Sequence, residues 1–271
     1  MTAVTEHEKD LERIANFSMM DDDFFTACLA EEIECTQLIL RIILGKADLQ
    51  VVQSHAQYFI KNLQGRSVRL DVLAKDMFGR YFNIEMQQAN SGASPRRARY
   101  NSSVLDANIT NPGEYYDQLP DSYVIFITEH DVLKGNRPVY DIQRTVSGSG
   151  APFNDGSHIV YVNASVQDDT DLGKLMFDLH CKDPNQMHYS VLASRCRYFK
   201  EDEEGVRKMC KVLEDMRAEA AAKATLETSS KIAMSMLNDH MPVEVIAKYT
   251  GLSTVVIEKL ASQNPGTVLP N

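Results

Sequence analysis

The chain has 271 residues, a formal net charge of −10 and a pI near 5.2. With 44% hydrophobic and 24% charged residues it is neither collagen-like, fibrous nor wholly disordered, and its length suits one large domain or two modest ones. The acidic balance repels a polyanion over most of the surface, so contact with nucleic acid has to be local or metal-bridged.

Met1 to Asp23 is polar and acidic, without the basic start and apolar stretch of a secretory signal. Residues 1–20 read as an N-terminal extension. From Asp21 the apolar positions Phe24, Phe25, Cys28, Ile33, Leu38 and Ile42 recur at helical spacing, which predicts one long amphipathic helix ending near Gly45, with Asp21 to Asp23 favouring its N-terminal dipole. Its greasiest run, Leu38 to Leu44, carries Arg41 and falls short of the roughly 20 apolar residues of a membrane helix. Strands are predicted at Ser67–Lys75, Arg80–Gln87, Ser122–Thr128, Pro138–Val146 and His158–Asn163 from their β-branched and aromatic content. Ser94-Pro95 reads as an N-cap and first-turn proline opening a helix over Arg96 to about Asn108. The alternation predicts an α/β domain over 21–200 with a central mixed sheet. Beyond it, 201–271 reads as a helical region. Pro242 to Leu260 has the outline of a helix-turn-helix, with a turn at Gly251 and an N-cap at Ser253. Its second helix offers only Lys259 as a cation, so a packing pair of helices is the competing reading. The five cysteines are odd in number and contain no C-x-x-C, which fits the reducing cytoplasm and argues against a disulfide framework or zinc ribbon. A cytoplasmic protein with no membrane partner is expected.

The stretch that carries chemistry is the hairpin from Arg69 to Gln87, with its loop at Asp76–Arg80. Alternation puts Leu70, Val72, Ala74, Phe82, Ile84 and Met86 on one face and Arg69, Asp71, Glu85 and Gln87 on the other. A turn centred near Phe78 sets Asp71 opposite Glu85. Two carboxylates about 5 Å apart across a ladder repel unless a proton or cation intervenes. A divalent metal with oxygen ligands is one solution. A solvated strand face screened by Arg69 is the other.

Asp71, the hairpin and then Glu85-Met86-Gln87 resemble the active-site signature of the PD-(D/E)XK nuclease superfamily. More narrowly, the chain resembles the transposase-like branch of recombination-promoting nucleases. The blocks that carry the likeness are Asp21-Asp22-Asp23-Phe24-Phe25, Leu70-Asp71-Val72-Leu73-Ala74, Asn83-Ile84-Glu85-Met86-Gln87, Arg97-Ala98-Arg99-Tyr100 and Tyr123-Val124-Ile125-Phe126-Ile127, over roughly residues 20–200. The resemblance implies a restriction-endonuclease-like core and metal-dependent cleavage of DNA. It implies Asp71 and Glu85 as metal ligands for Mg²⁺, or Mn²⁺, with the Met86 carbonyl as a third. Leu70 stands at the name-giving proline and Gln87 at the lysine position, where an amide orients water or a phosphate oxygen but carries no charge. Glu34 corresponds to the helix-borne acid of the superfamily, with Glu31 and Glu32 as neighbours that compete for the assignment.

Arg96, Arg97 and Arg99 form a basic island with no acid between Gln87 and Asp106. They suit phosphate oxygens or ordinary salt bridges, and the likeness favours Arg97 and Arg99 as DNA phosphate contacts. His180-Cys181 with His188 matches no common zinc spacing. The leading expectation is a DNA endonuclease; the rival is a degenerate nuclease core used for DNA tethering or protein assembly. A homodimer would suit a double-strand cut, one site per strand.

Overall fold

The structure, a computed structural model, describes residues 5–62 and 65–262. The chain divides into two compact units, Met1–Cys210 and Lys211–Asn271.

The first unit opens with α1 (Glu6–Asn16). Its capping box joins Thr5 and Glu8: the Glu8 N–H donates to Thr5 Oγ1 at 3.2 Å and the Thr5 N–H to Glu8 Oε2 at 2.7 Å, a device that stabilises a helix by about 1 kcal/mol. Ile14 is buried, so part of the expected extension is a packed helix.

The expected single helix is two: α2 (Asp22–Leu29) and α3 (Ile33–Leu44). Glu31 between them takes a left-handed φ of 59°, which for an L-residue costs about 1–2 kcal/mol. Arg195 compensates. Its Nε donates to the Cys28 carbonyl at 3.0 Å, Nη2 reaches the Ala27 and Ala30 carbonyls at 3.4 Å, and Nη1 pairs with Glu32 at 3.0 Å. The carbonyls freed at the end of α2 thus gain a cationic partner, one that helical periodicity within residues 21–45 does not encode.

The sheet has six strands in the order β1-β2-β3-β4-β6-β5. β1 (Val51–Ile60) pairs antiparallel with β2 (Val68–Asp76), and β2 with β3 (Tyr81–Gln87). β1 has no counterpart among the expected strands. It is an edge strand in which only Val51, Ser54 and Ile60 are fully buried, so its sequence lacks the apolar alternation of an inner strand. The β2–β3 turn is tied by buried Asp76, whose carboxylate accepts from the N–H groups of Phe78 and Arg80 at 3.0 and 2.9 Å and from Arg80 Nε at 2.6 Å. Gly79 supplies the positive φ of 83° that this turn needs.

From β3 the chain crosses through α4 (Pro95–Ile109) to β4 (Ser122–Thr128), which lies parallel to β3. Parallel neighbours require such a crossover, and α4 covers the sheet face that it spans. Ser94 caps α4 by accepting from the Arg97 N–H at 3.2 Å, with Pro95 in the first turn. β5 (Val139–Ile142) and β6 (Ser157–Asn163) complete the far side; β5 is shorter than the expected Pro138–Val146. α5 (Asp171–His180) and α6 (Ser190–Glu201) follow in the first unit, and α7 (Glu203–Asn238) begins in it and continues past its end at Cys210. β4 is buried at every position, a run of seven residues at the centre of the core.

In the second unit, Leu237 packs with Ile246, Leu252, Ile257 and Ala261 of α8 (Val243–Thr250) and α9 (Thr254–Ser262) and the turn between them. Gly251 closes α8 at a left-handed φ of 71°. α9 turns Val255, Val256, Glu258 and Lys259 to solvent, a face with one cation. No helix of the described residues is long and apolar enough to cross a membrane.

Candidate active site

The site forms where β2 and β3 run side by side and α4 begins. The pairing Lys75↔Tyr81 to Val72↔Ile84 sets the register, and the same register brings Asp71 abreast of Glu85. There the Met86 N–H turns to a side chain and donates to Asp71 Oδ2 at 2.9 Å.

The face that holds these acids is not solvated. Glu85 is fully buried and Asp71 largely so, because α4 lies over them and Phe126 of β4 stands beside Glu85. Each oxygen of Glu85 has a donor on α4. Arg97 Nη2 reaches Oε2 at 2.7 Å and Asn101 Nδ2 reaches Oε1 at 3.3 Å. Arg97 also donates through Nη1 to Gln87 Oε1 at 3.0 Å and to the Gly92 carbonyl at 2.8 Å. One guanidinium therefore holds both members of the Glu85–Gln87 pair. With Oε1 of Gln87 occupied, its Nε2–H₂ is the free end of that amide.

Gly92 is part of this clasp. A Cβ built there would lie 1.8 Å from Gln87 Oε1, so any side chain here would displace the amide oxygen from its present place beside Arg97.

Burial dominates the electrostatics. It pushes the Asp71 carboxyl up to about 9, with the charges of Glu85 and Asp22 adding to the effect. Glu85 rises to about 7, burial outweighing the opposing pull of Arg97. Asp22, at the start of α2, is also raised, by desolvation and then by Asp23. Arg69, Arg97 and the neighbouring Asp71 side chain pull the other way without cancelling the rise. Burial and the neighbouring acids together favour the protonated carboxyls.

Asp71, Glu85, the Met86 main chain, Gln87 and Arg97 come together as the sequence suggests, but Glu34 and Arg99 stand apart. Glu34 is exposed and lines a depression with Glu32, Cys35, Ser190 and Arg195. The acid from the N-terminal helices that meets Asp71 is Asp22, because the break at Glu31 separates α2 from α3. Its signal was the three-acid run at the helix start, readable equally as dipole compensation. Arg99 is exposed one position past the buried Ala98 of α4, whereas Arg97 is committed to carboxylate and amide. His188 Nδ1 pairs with buried Asp178 at 2.9 Å rather than joining His180 and Cys181.

No three His, Cys, Asp or Glu side chains among the described residues converge as a ready metal cage. Two carboxylates are nonetheless the usual protein share of a Mg²⁺ site, where waters and substrate phosphate complete an all-oxygen shell. The donor set is of that kind, and a divalent cation would favour the ionised form of both carboxyls that burial disfavours.

Residues 34–239, about three quarters of the chain, match the family described as PD-(D/E)XK nuclease family transposase. The matched span contains Asp71, Glu85, Gln87 and Arg97 and omits Asp22. No curated protein and no solved structure gives a significant match.

Proposed function

The chain belongs to the PD-(D/E)XK nuclease family transposases, and from that premise we propose that it is a metal-dependent DNA endonuclease centred on Asp71 and Glu85. The observation that carries this reading is the burial of two abreast carboxylates whose pKa values are both raised. Buried acids arranged to repel are costly for a fold and are characteristic of functional sites.

Asp71 and Glu85 would hold Mg²⁺ or Mn²⁺, with the Met86 carbonyl and Asp22 nearest to hand. Such an ion supplies Lewis acidity when bound, lowering the pKa of water and offsetting charge on a phosphodiester. Arg97 and Asn101 fix the Glu85 carboxylate from behind, the role that outer hydrogen bonds serve at metal sites. Gln87 retains two N–H donors that can orient water or a phosphate oxygen, although it cannot take a proton as lysine does. Asp71 gives up its proton before it can act as a ligand, so the active form is favoured at neutral to alkaline pH.

A second reading rests on one observation. Both Glu85 oxygens and Gln87 Oε1 are already engaged by donors, as in a nuclease core turned to DNA tethering. Nicking of supercoiled plasmid at low salt with Mg²⁺, Mn²⁺ or EDTA separates the two. Metal-dependent nicking by the wild type, lost in folded Asp71→Ala and Glu85→Ala, is the expected result. Activity that survives in both variants would remove these residues from the mechanism, and an inert wild type across metals would leave the tethering reading.

A further inference from the structure

Beside Glu85, between the chain that enters β2 and the first turns of α4, lies a cleft of about 660 Å³. Four arginines line it: Arg66 and Arg69 on the β2 side, Arg96 and Arg97 on α4. None of its described lining residues is an Asp or Glu, on a chain whose net charge is −10. Ser94, the N-cap of α4, lies in the same wall. The Tyr100 hydroxyl donates to the Arg66 carbonyl, which ties the two walls together. Arg97 and Asn101 line the cleft and both donate to Glu85, so the groove runs up to the buried carboxylates.

The geometry points to this cleft as the seat of the DNA phosphodiester backbone, with Arg66, Arg69 and Arg96 as its phosphate contacts. The inference rests on the nuclease reading for what lies at the end of the groove, and it names the residues that bring the strand there. Arg66, Arg69 and Arg96 are exposed, within reach of a strand that approaches from solvent. Arg69 also acts electrostatically on Asp22, linking the groove to the acids. Guanidinium forks match phosphate oxygens in pairs. Contacts of this kind set register along a strand but read no sequence. The Arg99 expected from the sequence lies outside the lining.

Each phosphate contact contributes about 0.9 to the slope of log binding constant against log salt on duplex DNA. Binding of a short DNA duplex is measured by fluorescence anisotropy between about 50 and 200 mM salt, in EDTA and again in Ca²⁺. Arg66→Gln, Arg69→Gln and Arg96→Gln are compared with exposed Arg137→Gln, which is outside the cleft, and melting temperatures monitor folding. Each cleft variant should lower the slope by about 0.9, the triple variant by two to three times that, and Arg137→Gln should leave it unchanged. A triple variant with the wild-type slope, an equal loss in Arg137→Gln, or a wild type that does not bind would overturn the assignment. Arginine-dependent binding without cleavage in Mg²⁺ would sink the nuclease reading and keep the cleft. Mg²⁺-dependent cleavage by a triple variant with unaltered salt dependence would do the reverse.

Discussion

Arg97 links the two halves of the site: it neutralises the fully buried Glu85 and turns the Gln87 amide so that its donor end is free. Removing it takes the cationic partner of this interior carboxylate away, and Arg97 is the largest of the influences that hold the Glu85 pKa down, so that pKa rises further. Arg97→Gln should therefore lower nicking by about 10- to 100-fold, as loss of a ligand's supporting hydrogen bond commonly does. It should also shift the acidic limb of the pH–rate profile to higher pH. Equal loss at every pH would mean that Arg97 serves only as a strut. Alternation along β2 and β3 was enough to pair Asp71 with Glu85, because period 2 and a short turn fix register. It was blind to burial. Whether the polar face of a strand meets water depends on α4, and neither Asp71 nor Glu85 announces a helix lying over it.

α4 delivers Arg97 and Asn101 to the acids and Arg96 to the groove, so its first turn sets the geometry of all three. Ser94→Ala removes the cap to the Arg97 N–H and should cost about 1 kcal/mol in denaturant unfolding. Ser94→Asp should restore most of it, since a carboxylate accepts the same bond and complements the helix dipole. A midpoint unchanged in Ser94→Ala, or not recovered in Ser94→Asp, would show that the cap carries no weight. This helix was legible because Ser-Pro is a local signal, as were the β2–β3 turn and the apolar β4. The break between α2 and α3 was not. It depends on Arg195, more than 160 residues away in sequence, reaching the Cys28 and Ala27 carbonyls. β1 was missed for a related reason: an edge strand needs few apolar residues, and its pairing with β2 is a tertiary fact.

Charge acts across the whole first unit through the same acids. Asp71 and Glu85 hold protons in the folded chain, up to about pH 9 and about pH 7, that the unfolded chain releases near pH 4. Folding therefore binds protons between those limits, and stability declines as pH rises through them. The effect is absent below about pH 4, where both states are protonated, and levels off above about pH 9. In EDTA the melting temperature should fall steadily from pH 6 to pH 9. Asp71→Asn, which cannot ionise, should flatten most of the decline above about pH 7. Mg²⁺ should raise the melting temperature more at pH 9 than at pH 6, because binding to carboxylates displaces those protons. Differential scanning calorimetry of the wild type and Asp71→Asn in EDTA and in Mg²⁺ tests all of this. A pH-independent melting temperature in EDTA, or the same decline in both proteins, would mean that the acids are hydrated rather than buried, and with that the strained pair on which the metal site depends would be gone.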